Sequence, residues 1–147
     1  MGTLLSFKEK RREKQLTYER KMLREISLTE IKKTILNYFN EFFQSRTISK
    51  AAIEEGCIDF AVEAFLLGAK FSRFGYYGES MQMVAYRCRH EEKLLTDDFF
   101  DYMLHWGKVN DDPMINESLM IACECYIQQW WKEGYTKGEK RYKLRLQ

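Results

Sequence analysis

The chain has 147 residues, of which 45% are hydrophobic and 15% aromatic, with a single proline. These values suit one globular domain with one sizeable core, and they exclude wholesale disorder. No apolar run approaches the length needed to span a bilayer.

The start of the chain and its cysteines both favour a cytoplasmic protein. A short apolar patch precedes the charges of the first segment, which reverses the order found in a secretory signal peptide. The four cysteines form no C-x-x-C pair, and Cys57 and Cys123 fall on apolar stripes, as reduced buried thiols do. Residues 1–6 match the M-G-x-x-x-[ST] pattern of myristoylation, but this pattern is short, and we do not expect a membrane anchor.

Charge is divided along the chain, although the net charge is only +2. Residues 8–25 hold eight basic and four acidic residues, residues 26–131 hold ten basic and sixteen acidic, and residues 132–147 hold six basic and two acidic. Basic segments therefore flank an acidic body. The basic residues that we expect to contact an acidic partner are Lys8, Lys10, Arg11, Arg12, Lys14, Lys140, Arg141, Lys143 and Arg145.

Apolar residues recur at steps of three and four over most of the chain, and no alternating pattern competes. The sequence therefore predicts an all-α fold, a single-domain helical bundle of about five core helices with basic terminal helices. We expect a basic N-terminal helix over residues 1–26 that docks in part, a helical core over residues 27–134, and a basic tail over residues 135–147.

The first two helices have clear start signals. Ser6 can cap a helix that runs to about Arg24, whose apolar residues lie in its second half. Ser27 and Glu30 form a capping box, in which each side chain can pair with the backbone of the other. The helix that they open should end near residues 44–46.

Three later helices follow from similar signals. One should cover Ser80–Lys93, and another should begin at Thr96, where acidic residues follow a capping hydroxyl, and close at Gly107. Pro113 suits the first position of the last core helix, because its missing N–H costs nothing there. Gly134 is the expected cap of that helix.

The stretch Ser49–Gly75 reads as one long helix, apolar on most sides and closed by its final glycine. Glu55, Asp59 and Glu63 step by four residues along it, and like charges at this spacing repel each other. We therefore expect a basic terminal segment to dock over this acidic stripe.

Neither a metal nor a cofactor is predicted. Cys88 with His90 and Cys123 with Cys125 are two residues apart, so on a helix these pairs point in different directions. The spacings that mark zinc sites are missing. The sequence likewise contains no phosphate-binding glycine loop and no nucleophile motif.

Asp101 and His105 are the one arrangement that suggests catalysis. They lie four residues apart, so the carboxylate could orient the imidazole on a shared helical face. A helical ion pair accounts for the same spacing, and we predict no catalytic residue.

The opening FKEKRREKQLTYERKMLREISL, followed by a cysteine-bearing helical body, resembles small uncharacterised cytosolic helical proteins of spore-forming bacteria. The resemblance covers mainly residues 7–28 and includes no chemical motif. It implies an intracellular helical protein of unknown function, with no catalytic residues to transfer.

These observations leave three functions open. The first is a small, non-enzymatic protein-interaction or adaptor protein with a protein partner or a second copy of itself. The second is a nucleic-acid-binding protein that uses both basic segments, although the pI of about 8.3 lies below the value above 9 typical of such domains. The third is an enzyme with a pocket around Asp101, His105, Tyr76 and Tyr77.

Overall fold

The computed structural model of the protein describes residues 3–43, 50–107 and 113–145, and these form six helices without a strand. The all-α prediction is confirmed. No helix in these described ranges combines the length and apolarity required to cross a membrane. The helices are α1 (Thr3–Leu23), α2 (Leu28–Phe43), α3 (Lys50–Tyr76), α4 (Met81–Arg87), α5 (Arg89–Gly107) and α6 (Pro113–Arg145).

The two longest helices, α3 and α6, form the centre of the bundle and approach each other closely at glycines. A Cβ atom added to Gly68 would meet the backbone carbonyl of Trp131, and one added to Gly134 would meet that of Phe65. Two helical backbones can come this near only where one of them has no side chain. The other helices pack around this pair.

Aromatic side chains fill the core between α2, α3, α5 and α6. Phe39, Phe99 and Tyr126 are fully buried, and their ring centroids lie 5.3 to 5.7 Å apart. The Tyr126 hydroxyl donates a hydrogen bond of 2.6 Å to the carbonyl of Cys57, which satisfies a polar group that burial would otherwise penalise.

Several helix starts agree with their capping signals. The Ser27 hydroxyl accepts from the backbone N–H of Glu30, the Ser80 hydroxyl accepts from that of Met83, and α6 begins at Pro113. The predicted end of α2 near residues 44–46 lies outside the described residues.

The long helix ends later than predicted, since α3 continues through Gly75 to Tyr76. Gly78 has a φ of 108°, and its N–H donates to the Gly75 carbonyl while the Glu79 N–H donates to the Phe74 carbonyl. This pair of bonds is the Schellman arrangement, in which a left-handed glycine stops the helix. Gly75 instead faces the Tyr135 hydroxyl.

The predicted break between residues 93 and 96 is also wrong. The chain turns at Cys88, and α5 runs without interruption from Arg89 through Thr96. Thr96 is buried, and its hydroxyl donates to the Glu92 carbonyl four residues earlier, so it acts inside a helix rather than at its start.

The prediction that Gly134 caps the last core helix is wrong as well. Instead, α6 continues to Arg145, so the expected tail over residues 135–147 is helical as far as it is described. Gly134 and Gly138 both face α3, where a Cβ at Gly138 would meet the Ser72 hydroxyl. Close packing, rather than termination, accounts for both glycines.

Candidate functional site

A groove of about 1050 Å³ runs between α1, the C-terminal part of α3 and the C-terminal part of α6. We call it the basic groove, because seven cationic side chains and only one carboxylate line it. The charged residues of its lining are Lys10, Arg11, Glu13, Lys14, Lys21, Lys70, Arg73 and Arg141. Positive charges gathered in one cleft raise the local concentration of anions.

The first helix forms one wall of the basic groove and is fixed by its second half. The Tyr18 hydroxyl donates a 2.9 Å hydrogen bond to the carbonyl of Ala69, and Met22 is fully buried. Residues 7–17 of α1, including Lys8, Lys10 and Lys14, are exposed. The apolar residues of α1 therefore position the helix, and the charged ones remain available.

The wall that α6 forms is held to the turn that follows α1. The Lys137 ammonium donates to the backbone carbonyl of Glu25 over 2.7 Å, and the Arg141 guanidinium lies 3.2 Å from the Glu25 carboxylate. Both cations come from α6. These contacts hold the end of α6 beside α1 and close the groove at this corner.

Tyrosines form a row beside the groove. The Tyr142 ring lies 6.0 Å from that of Tyr18 and 6.0 Å from that of Tyr76, and the Tyr76 ring lies 5.2 Å from that of Tyr77. Tyr18 and Tyr142 line the groove itself, together with the exposed Leu144. The site therefore combines positive charge with apolar surface.

The structure brings together some of the basic residues expected to act in binding. Lys10, Arg11 and Lys14 from the first segment line the groove with Arg141 from the last. Of the remaining predicted residues, Lys8, Arg12 and Lys140 are exposed outside the groove lining, Lys143 pairs with Glu139 at 3.3 Å, and the side chain of Arg145 lies outside the described part.

Sequence reasoning missed the contribution of α3. Lys70 and Arg73 line the groove from the C-terminal part of this mainly apolar helix. Their spacing of three residues places them on one helical face, and this spacing is the sequence signal that could have identified them as groove residues. Lys21 also lines the groove, but the sequence prediction included only the denser run of charge in the first half of α1.

The acidic stripe Glu55, Asp59 and Glu63 is exposed, as its sequence suggested. Burial raises the pKa of the Tyr102 hydroxyl on α5, and the negative charges of Glu55 and Asp59 raise it further. Across the described residues, no ion pair joins the stripe to a basic terminal segment. The predicted docking of such a segment here is not observed, because the end of α6 contacts Glu25 instead.

The residues considered for catalysis lie apart from the groove. Asp101 and His105 are both exposed on α5, and the imidazole packs edge-on against the Trp106 ring at 5.5 Å. Neither side chain lines the groove. Within the ranges that the structure covers, no three His, Cys, Asp or Glu side chains converge as metal ligands would.

The cysteines differ in their surroundings. Cys57, Cys88 and Cys123 are buried, and Cys125 is exposed. Burial raises the pKa of the Cys88 thiol to about 11, although the Trp131 indole donates a 3.3 Å hydrogen bond to its sulfur. The buried thiols are therefore protonated at neutral pH and are poor nucleophiles.

Fold and groove together define a small all-helical bundle protein with a basic cleft at its surface. The chain belongs to the family described as "Protein of unknown function (DUF2521)", which matches residues 1–147. It is similar to the uncharacterized protein YbaK of Bacillus subtilis (strain 168), with 37% identity over 146 residues that cover 99% of both chains. No solved structure matches it significantly. The resemblance to uncharacterised proteins of spore-forming bacteria agrees with this relative.

Proposed function

We propose that this protein is a non-enzymatic, cytoplasmic interaction or adaptor protein that binds an acidic segment of a protein partner in the basic groove. The observation that carries the proposal is the convergence of cations from three helices that are distant in sequence. Lys14 of α1, Lys70 of α3 and Arg141 of α6 line one cleft, whereas the body of the chain is acidic overall. The four free cysteines support a reducing compartment.

The positive charge of the groove favours the binding of an acidic ligand. Seven cations that share one cleft repel each other, and an acidic ligand relieves that repulsion when it binds. Charge complementarity of this kind increases the association rate and selects partners more than it adds affinity. Binding should therefore be specific for acidic sequences and weaken as salt increases.

A matched pair of variants tests the proposal with poly-L-glutamate as the acidic probe. Lys14→Glu with Lys70→Glu reverses two cations inside the groove. Lys8→Glu with Lys140→Glu makes the same change in net charge at exposed positions outside its lining. Fluorescence anisotropy of the labelled probe gives both affinities.

We expect the groove variant to lose at least about tenfold in affinity and the control variant to lose about twofold, because close charges act more strongly than distant screened ones. Equal losses would show that net charge alone, and not the groove, attracts the probe. That result would contradict the proposal.

Nucleic-acid binding is the second candidate, and one observation favours it. The Tyr77 ring is 77% exposed and continues the tyrosine row beside the groove, so it presents a surface on which a base could stack. Binding of labelled oligo(dT) over a range of salt concentrations tests this candidate. Phosphate contacts release counterions, so a slope near zero in log K against log salt would exclude it.

Self-association is a further form of the interaction hypothesis, with the exposed acidic stripe of one copy facing the basic groove of another. Sedimentation of the protein at low and high salt tests it. Complexes that dissociate as salt increases would support this form, and a monomer at every salt concentration would exclude it.

A further inference from the structure

The lining of the basic groove includes apolar surface as well as charge. Tyr18 from α1 and Tyr142 from α6 line it with their rings, and Leu144 lines it with a side chain that is 72% exposed. An exposed leucine between two basic walls gains nothing from water or from the neighbouring cations. A ligand that also carries apolar groups would bury it.

The walls of the groove are helical over their whole length, which restricts the conformation of a peptide ligand. Backbone N–H and C=O groups inside a helix are already paired, so α1, α3 and α6 offer no free edge to an extended strand. A peptide that enters the groove therefore gains no backbone hydrogen bonds from these helices. A helix satisfies its own backbone hydrogen bonds within a single segment.

The length of the groove suits a short helix. Its lining on α1 extends from Lys10 to Lys21, which at 1.5 Å per residue is about 16 Å, or roughly three helical turns. Cations from α3 and α6, among them Lys70 and Arg141, face this stretch from the other side. A ligand helix would therefore meet positive charge along both of its flanks.

We infer that the basic groove binds an acidic amphipathic helix of a protein partner, with the apolar stripe of that helix on Tyr18, Tyr142 and Leu144 and its carboxylates at the two rims. This inference rests on the proposed function and names the shape of the partner that the groove accepts. Helix-in-groove recognition of this type depends on apolar residues at steps of three and four.

Two synthetic peptides of identical composition test the inference. Both contain glutamate, leucine and alanine over about 18 residues; in one, the leucines recur at positions i, i+3, i+4 and i+7, and in the other their order is scrambled. Poly-L-glutamate serves as a probe with charge and without apolar groups. Isothermal titration calorimetry gives the affinities, and circular dichroism gives the helix content of each bound peptide.

We expect the periodic peptide to bind at least about tenfold more tightly than the scrambled one, and to gain helix content when bound, because only its leucines can contact Tyr18, Tyr142 and Leu144 together. Leu144→Ser should remove much of the advantage of the periodic peptide over the scrambled one. Because Leu144 is exposed, this substitution should not prevent folding. The comparison between the two peptides uses the unaltered protein and does not depend on this variant.

The possible failures can be distinguished. Equal affinity for the two peptides would overturn the inference and leave the proposed function intact, since an acidic ligand would still bind. If neither peptide nor poly-L-glutamate binds, both the inference and the proposed function fail. Tighter binding of oligo(dT) than of the periodic peptide would also overturn the inference and favour the second candidate.

Discussion

The Arg141 guanidinium lies 3.2 Å from the Glu25 carboxylate, and this contact joins α6 to the turn that follows α1. Both side chains are about one-third exposed, so the pair contributes no more than about 1 kcal/mol to folding. Its importance is positional, because it holds the C-terminal part of α6 beside the turn that follows α1.

Glu25→Ala should loosen the first helix without unfolding the protein. We expect a change of less than about 1 kcal/mol in the free energy of unfolding, and faster amide exchange over residues 14–23, because α1 loses one of its anchors. Hydrogen exchange followed by mass spectrometry measures this. Glu41→Ala, at an exposed position on α2, is the control. Unchanged exchange in α1 would show that Tyr18 and Met22 suffice to hold it.

Gly134→Ala should destabilise the protein, although alanine favours helices by about 1 kcal/mol over glycine. The added methyl group would meet the backbone carbonyl of Phe65 on α3, and overpacking of this kind costs about 1–3 kcal/mol. Urea unfolding of the variant gives the difference. Glu133→Ala, at the exposed neighbouring position, should be nearly neutral. A gain in stability for Gly134→Ala would contradict the close packing of α3 and α6.

The Glu79–Arg87 pair should make stability depend on pH. Arg87 donates to the Glu79 carboxylate over 2.8 Å, which lowers the pKa of Glu79 below its usual 4.5. A carboxyl group with a lowered pKa in the folded state stabilises the protein above its ordinary pKa, and this contribution disappears as the pH falls through the lowered value. Glu79→Gln should therefore be less stable than the parent protein at pH 7.

The difference between Glu79→Gln and the parent protein should vanish in strong acid, where the glutamate is protonated in both the folded and the unfolded state. Thermal unfolding at several pH values measures it. Glu117→Gln, at an exposed position on α6, controls for the loss of a negative charge. A difference that is constant with pH would rule out the ion pair as its origin.

One thiol of the four should react rapidly in the folded protein. Cys125 is exposed, while Cys57, Cys88 and Cys123 are buried and burial raises the pKa of each of these three. Titration with a chromogenic disulfide should show one fast phase, and urea should release the other thiols. Cys125→Ser should abolish the fast phase. A second fast thiol would indicate that one of the buried sites opens readily.

The sequence predicted some helix boundaries correctly and missed others, for a physical reason. The starts marked by Ser27 and Ser80 are observed, whereas Ser6 and Thr96 lie inside helices. A start depends on local groups, such as the hydroxyls of Ser27 and Ser80 that accept from nearby backbone N–H groups. A glycine near an expected end can instead face another helix, as Gly134 does against Phe65. Which of the two applies depends on residues far away in the sequence.

The basic groove was predictable in its parts and not in its assembly. The sequence marks Lys10, Lys14 and Arg141 as expected contact residues by their charge, but their meeting requires α6 to continue past Gly134. Lys70 and Arg73 gave a weak signal, since two cations at the end of an apolar helix are common on protein surfaces. Only the packed helices show that all five face one cleft.

The contact between Glu25 and Arg141 joins residues 116 positions apart, and this separation has a consequence for synthesis. While the chain emerges from a ribosome, α1 is made before α3 and α6, and the part of the groove that α6 forms is absent until that helix is complete. A nascent or truncated chain that ends before Arg141 therefore lacks the finished cleft, whatever the state of its core. The proposed binding of an acidic ligand would therefore require a chain that has been synthesised through Arg141 and in which α6 has packed.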